Sequence, residues 1–327
     1  MTRPLLVVVG PTCTGKTSLA VAAALALTPA EMLNADSRQI RRGLRVGTCT
    51  PGPGELRNVP CNLLDLCDPG EPFTVADWLD AARGCLERLD RAGTRAVVAG
   101  GTGLYVTALV DGFDLARVPP DPVRRVERGD LAATSEGLEA LAAELRRRDP
   151  EGAATVDQRN PRRVIRALEI LDAGGGSVLA TRTRSASRSA VMVGLDVARP
   201  EHERWIERRT ASMFDTGALQ DEVRRLLDQG LDAPTIAGCG IGYQEALDNL
   251  EGRLDVNAAK DATVRRTLRY ARAQRTWFRR DPRIRWFRPD LDGVDGVIRA
   301  VLAFDRQSLE EARGSPDEAT GNPVRLA

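Results

Sequence analysis

The run Gly10-Pro11-Thr12-Cys13-Thr14-Gly15-Lys16-Thr17 constrains this chain more than any other feature. It fits the pattern G-x-x-x-x-G-K-[ST], and it lies between a short β-rich run, Leu5–Val9, and an alanine-rich helical stretch, Thr17–Leu27. Strand, loop and helix in that order are what give the pattern meaning. The glycines let the backbone wrap a diphosphate, and its charge then meets loop N–H groups and the helix N-terminus. Lys16 can reach a terminal phosphate, and the Thr17 hydroxyl can hold Mg²⁺. A chance glycine turn is the bland alternative. Composition argues against it, because Lys16 and Lys260 are the only lysines among 47 basic residues, and one of them stands here.

Further along, strands and helices alternate: Glu31–Asn34 is a weak strand, Val75–Leu89 a helix and Arg95–Ala99 a short buried strand. That alternation predicts an α/β fold, a P-loop NTPase-like parallel sheet covered on both faces. From about residue 115 strand signals fade, and Glu127–Arg148 and Pro161–Leu171 carry helical periodicity. Asn160-Pro161 suits a helix start, and Gly174-Gly175-Gly176 ends that helix. An Arg/Ser/Thr-rich loop follows to Ser189, Ala190–Asp196 returns as a strand, and Pro200–Arg280 is mostly helical. The expected organisation is a core from residues 1–114 and 191–306 with C-terminal helices, a helical insertion at 115–190, and a disordered polar tail at 307–327.

Composition excludes more than it selects. A net charge of +1 offers no argument for a nucleic-acid partner. Six cysteines with no C-x-x-C pair and a single histidine, His202, lack zinc-ligand spacing and indicate no disulfide framework. Met1 leads within a few residues into a strand-like run, and no apolar stretch approaches a membrane span. The expectation is a soluble cytoplasmic protein.

The phosphate cradle does not by itself make an ATPase. P-loop NTPases carry an aspartate at the end of a second buried strand to help hold Mg²⁺. Here Ala96-Val97-Val98-Ala99 ends in Gly100-Gly101-Thr102-Gly103, with no acid. Glycines there suggest close backbone approach by a ligand, and a bound diphosphate that is not hydrolysed. Asp36, in Asn34-Ala35-Asp36-Ser37-Arg38-Gln39, follows the weak strand and should face the cradle from a strand's carboxyl end. It could ligate Mg²⁺ or accept a proton, or it could simply cap the next turn.

These pieces together resemble the tRNA dimethylallyltransferases of bacterial type. The resemblance runs from Val7 to about Phe287 on G-P-T-C-T-G-K-T (10–17), A-D-S-R-Q-I (35–40), G-G-T-G-L-Y (100–105), N-P-R-R-V-I-R-A-L-E (160–169), I-G-Y-Q-E (241–245) and R-Y-A-R-A-Q-R-T-W-F-R (269–279). It implies transfer of a dimethylallyl group from dimethylallyl diphosphate to the exocyclic amine of the adenosine just 3′ of the anticodon. The cradle would hold that diphosphate with Mg²⁺, Asp36 would be the general base, and Thr17 and Arg209 would stabilise the leaving diphosphate. Asp36, Ser37, Arg38, Gln39, Thr102, Arg124, Arg162, Arg163 and Arg166 would contact tRNA, the enzyme acting as a monomer. Three positions depart from the family pattern: Arg41 for tyrosine, Thr50 for lysine, and Cys61-Asn62 for histidine. The zinc finger of eukaryotic relatives is missing.

Charge patterning adds a footprint of its own. Arg265, Arg269, Arg272 and Arg279 fall within roughly an 80° arc of one helix, with Val264, Tyr270, Ala271, Trp277 and Phe278 opposite as core. Arg162, Arg163 and Arg166 share a second helical face, and a merely solvated basic face is the alternative there. Three other functions fit parts of the pattern: prenyl transfer to free AMP, ADP or ATP, a small-molecule kinase, and an RNA-binding module without catalysis.

Overall fold

The protein is described by a computed structural model at residues 3–113, 118, 121–174, 177–178 and 188–314, the side chains of 312–314 excepted. Six short strands form one all-parallel sheet: β1 (Leu5–Val9), β2 (Ala30–Asn34), β3 (Cys61–Asn62), β4 (Arg95–Ala99), β5 (Ala190–Leu195) and β6 (Arg285–Phe287). Their order is β3-β2-β4-β1-β5-β6. Val7 lies opposite Val98 on one side and Met192 on the other. Every residue of β1 and β4 is buried, which is why both strands are near-continuous apolar runs with no alternation.

Side chains of alternate parity divide between the two faces. Leu6, Val8, Val97, Ala99, Val191 and Val193 pack with Leu19, Ala20, Ala23 and Ala24 of the Lys16–Ala26 helix and with Val297 and Val301 of the Pro289–Gly314 helix. Helices Val75–Arg91 and Gly103–Val110 pack on each other through Trp78 and Tyr105, whose rings stack with centroids 4.5 Å apart. The Trp78 indole N–H donates to the Asn34 carbonyl at 3.1 Å, fixing the end of β2. From β1 the chain crosses β4 to reach β2, and from β4 it crosses β1 to reach β5. Connections therefore diverge at the β1–β4 crevice, and the carboxyl ends of these strands become the natural ligand site.

The described residues fall into two compact units, one within Met1–Val110 and Arg188–Ser315, the other within Asp111–Ser187. In the second unit the single helix expected over Glu127–Arg148 is two, Pro122–Leu131 and Ser135–Arg148. Thr134 interrupts it, its hydroxyl accepting the Gly137 N–H at 3.0 Å as an N-cap. Asn160 caps the Pro161–Asp172 helix as expected, accepting the Arg162 N–H. Leu141, Leu145, Val164, Ile165 and Leu168 form that unit's core. The expected Arg/Ser/Thr-rich loop lies largely outside the described residues.

The C-terminal expectation is corrected over part of its length. Residues 307–314 are not an unstructured tail but the end of the helical run Pro289–Gly314, which is broken at Gly293 (φ 66°), while 315–327 lie outside the described residues. That helix is anchored by Asp305, fully buried and bound by Arg95 at the start of β4 through two bonds of 2.5 and 2.6 Å. Ser308 donates back to the Phe304 carbonyl and Gln307 donates to Glu311, so polar composition and helix coexist. Asp305→Ala leaves a buried guanidinium without its partner and should cost about 3–5 kcal/mol. Urea unfolding should show that loss, and Arg95→Met with Asp305→Leu should recover most of it.

Candidate active site

The loop from Gly10 to Thr17 joins β1 to the Lys16–Ala26 helix, and its shape follows from its residues. Gly10 has φ 139°, and a Cβ there would lie 2.3 Å from the Leu195 carbonyl oxygen, so no other residue fits this close pass. Cys13 holds a left-handed φ of 62° without being glycine. Gly15 precedes the helix with no side-chain cap, which leaves the first-turn N–H groups for an anion. Lys16 Nζ donates to the Pro11 carbonyl at 2.7 Å. Burial pushes the Lys16 ammonium down to about 8, although the Asp36 carboxylate acts to hold it up and Arg209 acts with burial. Burial likewise raises Cys13 to about 11, despite Arg209 and Lys16 nearby, so this cysteine is a thiol at neutral pH and a poor nucleophile.

Thr12 is held at every polar atom. Its N–H donates to Gln274 Oε1 at 2.8 Å, its carbonyl meets His202 Nε2 at 2.8 Å, and its hydroxyl accepts from Arg209 Nη1 at 3.1 Å. The buried Nε of Arg209 has no partner among the described residues. Thr17, on the first helical turn, is half-buried and its hydroxyl makes no hydrogen bond among the described residues. That leaves a hard oxygen for a metal ion shared with a bound diphosphate, the way Mg²⁺ is usually held.

Asp36 sits just beyond β2, where the turn-capping reading is seen directly. Oδ1 accepts the Arg38 N–H at 2.9 Å and caps the turn, while Oδ2 makes no hydrogen bond among the described residues. The next loops lock together around it. Thr102 Oγ1 accepts the Ser37 N–H at 2.8 Å and donates to Ser37 Oγ at 3.1 Å. Burial, then the charge of Asp36, raise the half-buried Tyr270 phenol above its ordinary value.

The glycines after β4 need a correction. The space they leave is taken by the chain and not by a ligand. A Cβ on Gly100 would sit 2.1 Å from the Ala35 carbonyl, and one on Gly101 would sit 2.2 Å from Gln274 Nε2. Gln274 Nε2 donates to the Gly101 carbonyl at 2.9 Å, so one buried amide ties the phosphate loop to the glycine loop. No motif contains His202, and Gln274 lies within the 269–279 segment with no role assigned from its pattern. The signal was on the helix itself: the buried face of Val256–Phe278 is Ala259, Thr263, Thr267, Ala271, Gln274 and Phe278, a partly polar seam. Val264, Tyr270 and Trp277, expected in the core, are only half-buried.

The arginines divide by their partners. Arg265, Arg269 and Arg272 are exposed and make no ion pair among the described residues. Arg279 does not share that freedom, because it binds Asp196 at 2.8 Å and lies over the Trp286 ring. Arg38 donates to the Gly238 carbonyl, and Gln39 to those of Thr48 and Cys49, so both brace loops. In the second unit Arg162 and Arg163 are exposed, whereas Arg166 is drawn onto buried Glu169 and the Val118 carbonyl, and Arg124 pairs with Asp172. The three departures sit in the framework. Arg41 donates to the Asp68 and Glu71 carbonyls, Thr50 is buried against the Leu44 carbonyl, and Asn62 is held by Glu31 and Arg88.

Fold and site together define a parallel α/β protein of the phosphate-loop class, with a carboxylate beside the loop and no acid at the end of β4. The family model described as IPP transferase matches residues 39–281. A tRNA dimethylallyltransferase of Thermobifida fusca is 42% identical over 319 residues, spanning 96% of this chain and 98% of the relative. One from Bacillus velezensis is 37% identical over 288 residues, spanning 87% and 90%. The crystal structure of the full-length tRNA isopentenylpyrophosphate transferase of Bacillus halodurans superposes with a TM-score of 0.67 at 34% identity, covering 95% of this chain and 99% of that one. A eukaryotic dimethylallyltransferase acting on tRNA shares the fold, with a TM-score of 0.75 at 20% identity. The chain belongs to the IPP transferase family.

Lys16 gives the site a pH signature. With its ammonium at about 8, the empty loop is charged below that pH and progressively neutral above it. Affinity for inorganic diphosphate should therefore fall by up to about tenfold per pH unit above 8, as binding must first restore the proton. The same depression makes the empty fold gain stability as pH rises from 8 towards the unfolded value of 10.5. Calorimetric titration should show the alkaline loss of affinity, and Lys16→Arg, with its fixed charge, should lack the part due to this residue.

Proposed function

We propose that this chain transfers a dimethylallyl group from dimethylallyl diphosphate to the exocyclic amine of the adenosine just 3′ of the anticodon in tRNA, releasing diphosphate. The observation that carries the reading is a phosphate-type loop with Lys16 and Arg209 on it, set beside a carboxylate with one oxygen that makes no hydrogen bond among the described residues, in a member of this family. As the C–O bond breaks, an allylic-cation-like centre forms and negative charge grows on the diphosphate. Lys16, the Arg209 guanidinium and the first-turn N–H groups are placed to meet that charge. The amine is a poor nucleophile, and Asp36 Oδ2 takes its proton as the new C–N bond forms. A bound Mg²⁺, held by diphosphate oxygens and the Thr17 hydroxyl, would supply further charge to the leaving group.

The acceptor base must leave its stack to reach the cleft. Arg265, Arg269 and Arg272 form the exposed basic face that suits an RNA backbone. All of these groups lie on one chain, so a monomer suffices. No helix among the described residues is long and apolar enough to cross a membrane.

The test is incubation with dimethylallyl diphosphate, Mg²⁺ and an anticodon stem-loop carrying three adenosines from the last anticodon base onward. Mass analysis of the digested nucleosides should show a dimethylallyl-sized gain on one adenosine. Asp36→Ala should lower the rate about 10²- to 10⁴-fold, and Arg209→Ala about 10²- to 10³-fold. A gain on free AMP and none on RNA would instead make the acceptor an adenylate. Replacing Arg265, Arg269 and Arg272 by glutamine should flatten the salt dependence of RNA binding by about 2–3 in the log–log slope.

A further inference from the structure

His202 is the only histidine of the chain, and it is almost fully buried behind the phosphate loop on the Arg199–Asp215 helix. Its surroundings settle its tautomer. The Thr12 carbonyl can only accept, so the nitrogen 2.8 Å from it, Nε2, carries the proton and donates. Nδ1 is then the acceptor, and it faces the Arg275 guanidinium, whose Nη2 lies 3.3 Å away. Arg275 is itself fixed, its Nε donating to Asp196 Oδ1 at 2.8 Å. Asp196, just past the end of β5, also accepts from Arg279 and from the Val197 N–H. A continuous chain thus runs from Asp196 through Arg275 and His202 to a backbone carbonyl of the phosphate loop.

We propose that His202 is a positioning residue for the prenyl-donor site: as the neutral Nε2–H tautomer, oriented by Arg275 and Asp196, it fixes the Thr12 peptide and so the aim of the phosphate loop. A loop that binds anions through backbone N–H groups works only while its peptides keep their orientation, and each carbonyl must be turned away from the anion. His202 holds one such carbonyl from behind, and Gln274 and Arg209 hold the other polar atoms of the same residue. The inference rests on the reading of this loop as a diphosphate site.

The arrangement carries its own acid limit. Burial, then the positive charge of Arg275 and Lys16, keep the imidazole below its ordinary value, against the Thr12 carbonyl and Asp196, so it is neutral at pH 7. The other charged groups lining the same groove are Arg199, Glu203, Arg269 and Arg272. Protonation would put an Nδ1–H against the Arg275 donor and break the chain at that point.

The experiment is calorimetric titration of the full chain with inorganic diphosphate and Mg²⁺, for wild type, His202→Gln and His202→Leu, at pH 7.5 and 5.5. Glutamine keeps an N–H donor, and leucine keeps bulk without one. Loss of the donor should weaken binding about tenfold in His202→Leu, with His202→Gln within about threefold of wild type. From pH 7.5 to 5.5 the wild type should lose more affinity than His202→Gln, which cancels the titration of diphosphate itself. Should His202→Leu fail to fold by thermal melting, His202→Phe, which keeps a ring without the donor, takes its place in the comparison. Equal binding by all the proteins with parallel pH dependence, or equal loss in the glutamine and leucine variants, overturns the positioning role. No binding by the wild type is a different result. It strikes at the donor site itself and takes this inference with it.

Discussion

On the proposed reading, one electrostatic demand dominates this molecule, that a compact polyanion be held by backbone. N–H groups of a loop can do that only if the loop is threaded tightly and cannot relax. The threading is set where Gly10 passes against the Leu195 carbonyl, a contact that ties the end of β1 to the end of β5. The restraint is supplied by Thr12, whose three polar groups are all taken by Gln274, His202 and Arg209. Those residues come from two helices that follow β5, so a site that begins at residue 10 is completed near residue 274. Without the C-terminal helices there would be a glycine loop but no shaped cradle.

One of these helices would link the proposed donor site to the proposed acceptor face. The Val256–Phe278 helix presents Arg265, Arg269 and Arg272 outward and Gln274 inward. One element therefore carries an exposed basic face and holds the phosphate loop on its other side. Asp36 stands between the two requirements. One oxygen is spent on turn geometry and the other is available, which gives the carboxylate a fixed aim with a free lone pair. The lock between Ser37 and Thr102 keeps that aim from drifting.

Much of this was legible in the sequence, for reasons that can be named. β1 and β4 are continuous apolar runs because both faces of a parallel sheet are covered, and the phosphate loop announces itself by glycine and lysine spacing. Asn160 is a cap in sequence and in structure. What sequence could not show depends on partners far along the chain. β3 and β6 have two and three residues and exist only through pairing with β2 and β5. Gly100 and Gly101 signalled close approach, but the approaching atoms are those of Ala35 and Gln274, distant in sequence. The seam of threonines and glutamine on the buried face of Val256–Phe278 hid from a hydrophobic pattern, since its polar atoms are satisfied by other loops. The ordered chain runs past residue 306, where the polar composition predicts a tail, because Asp305 is anchored by an ion pair with Arg95, 210 residues away.

The central claim is that the loop holds a diphosphate as a leaving group and not as a fuel. The most direct measurement is a product balance under single-turnover conditions with dimethylallyl diphosphate, Mg²⁺ and an anticodon stem-loop. The account predicts one intact diphosphate released for each adenosine modified, no orthophosphate, and no requirement for ATP. Orthophosphate in step with turnover, or modification that depends on ATP hydrolysis, would contradict it.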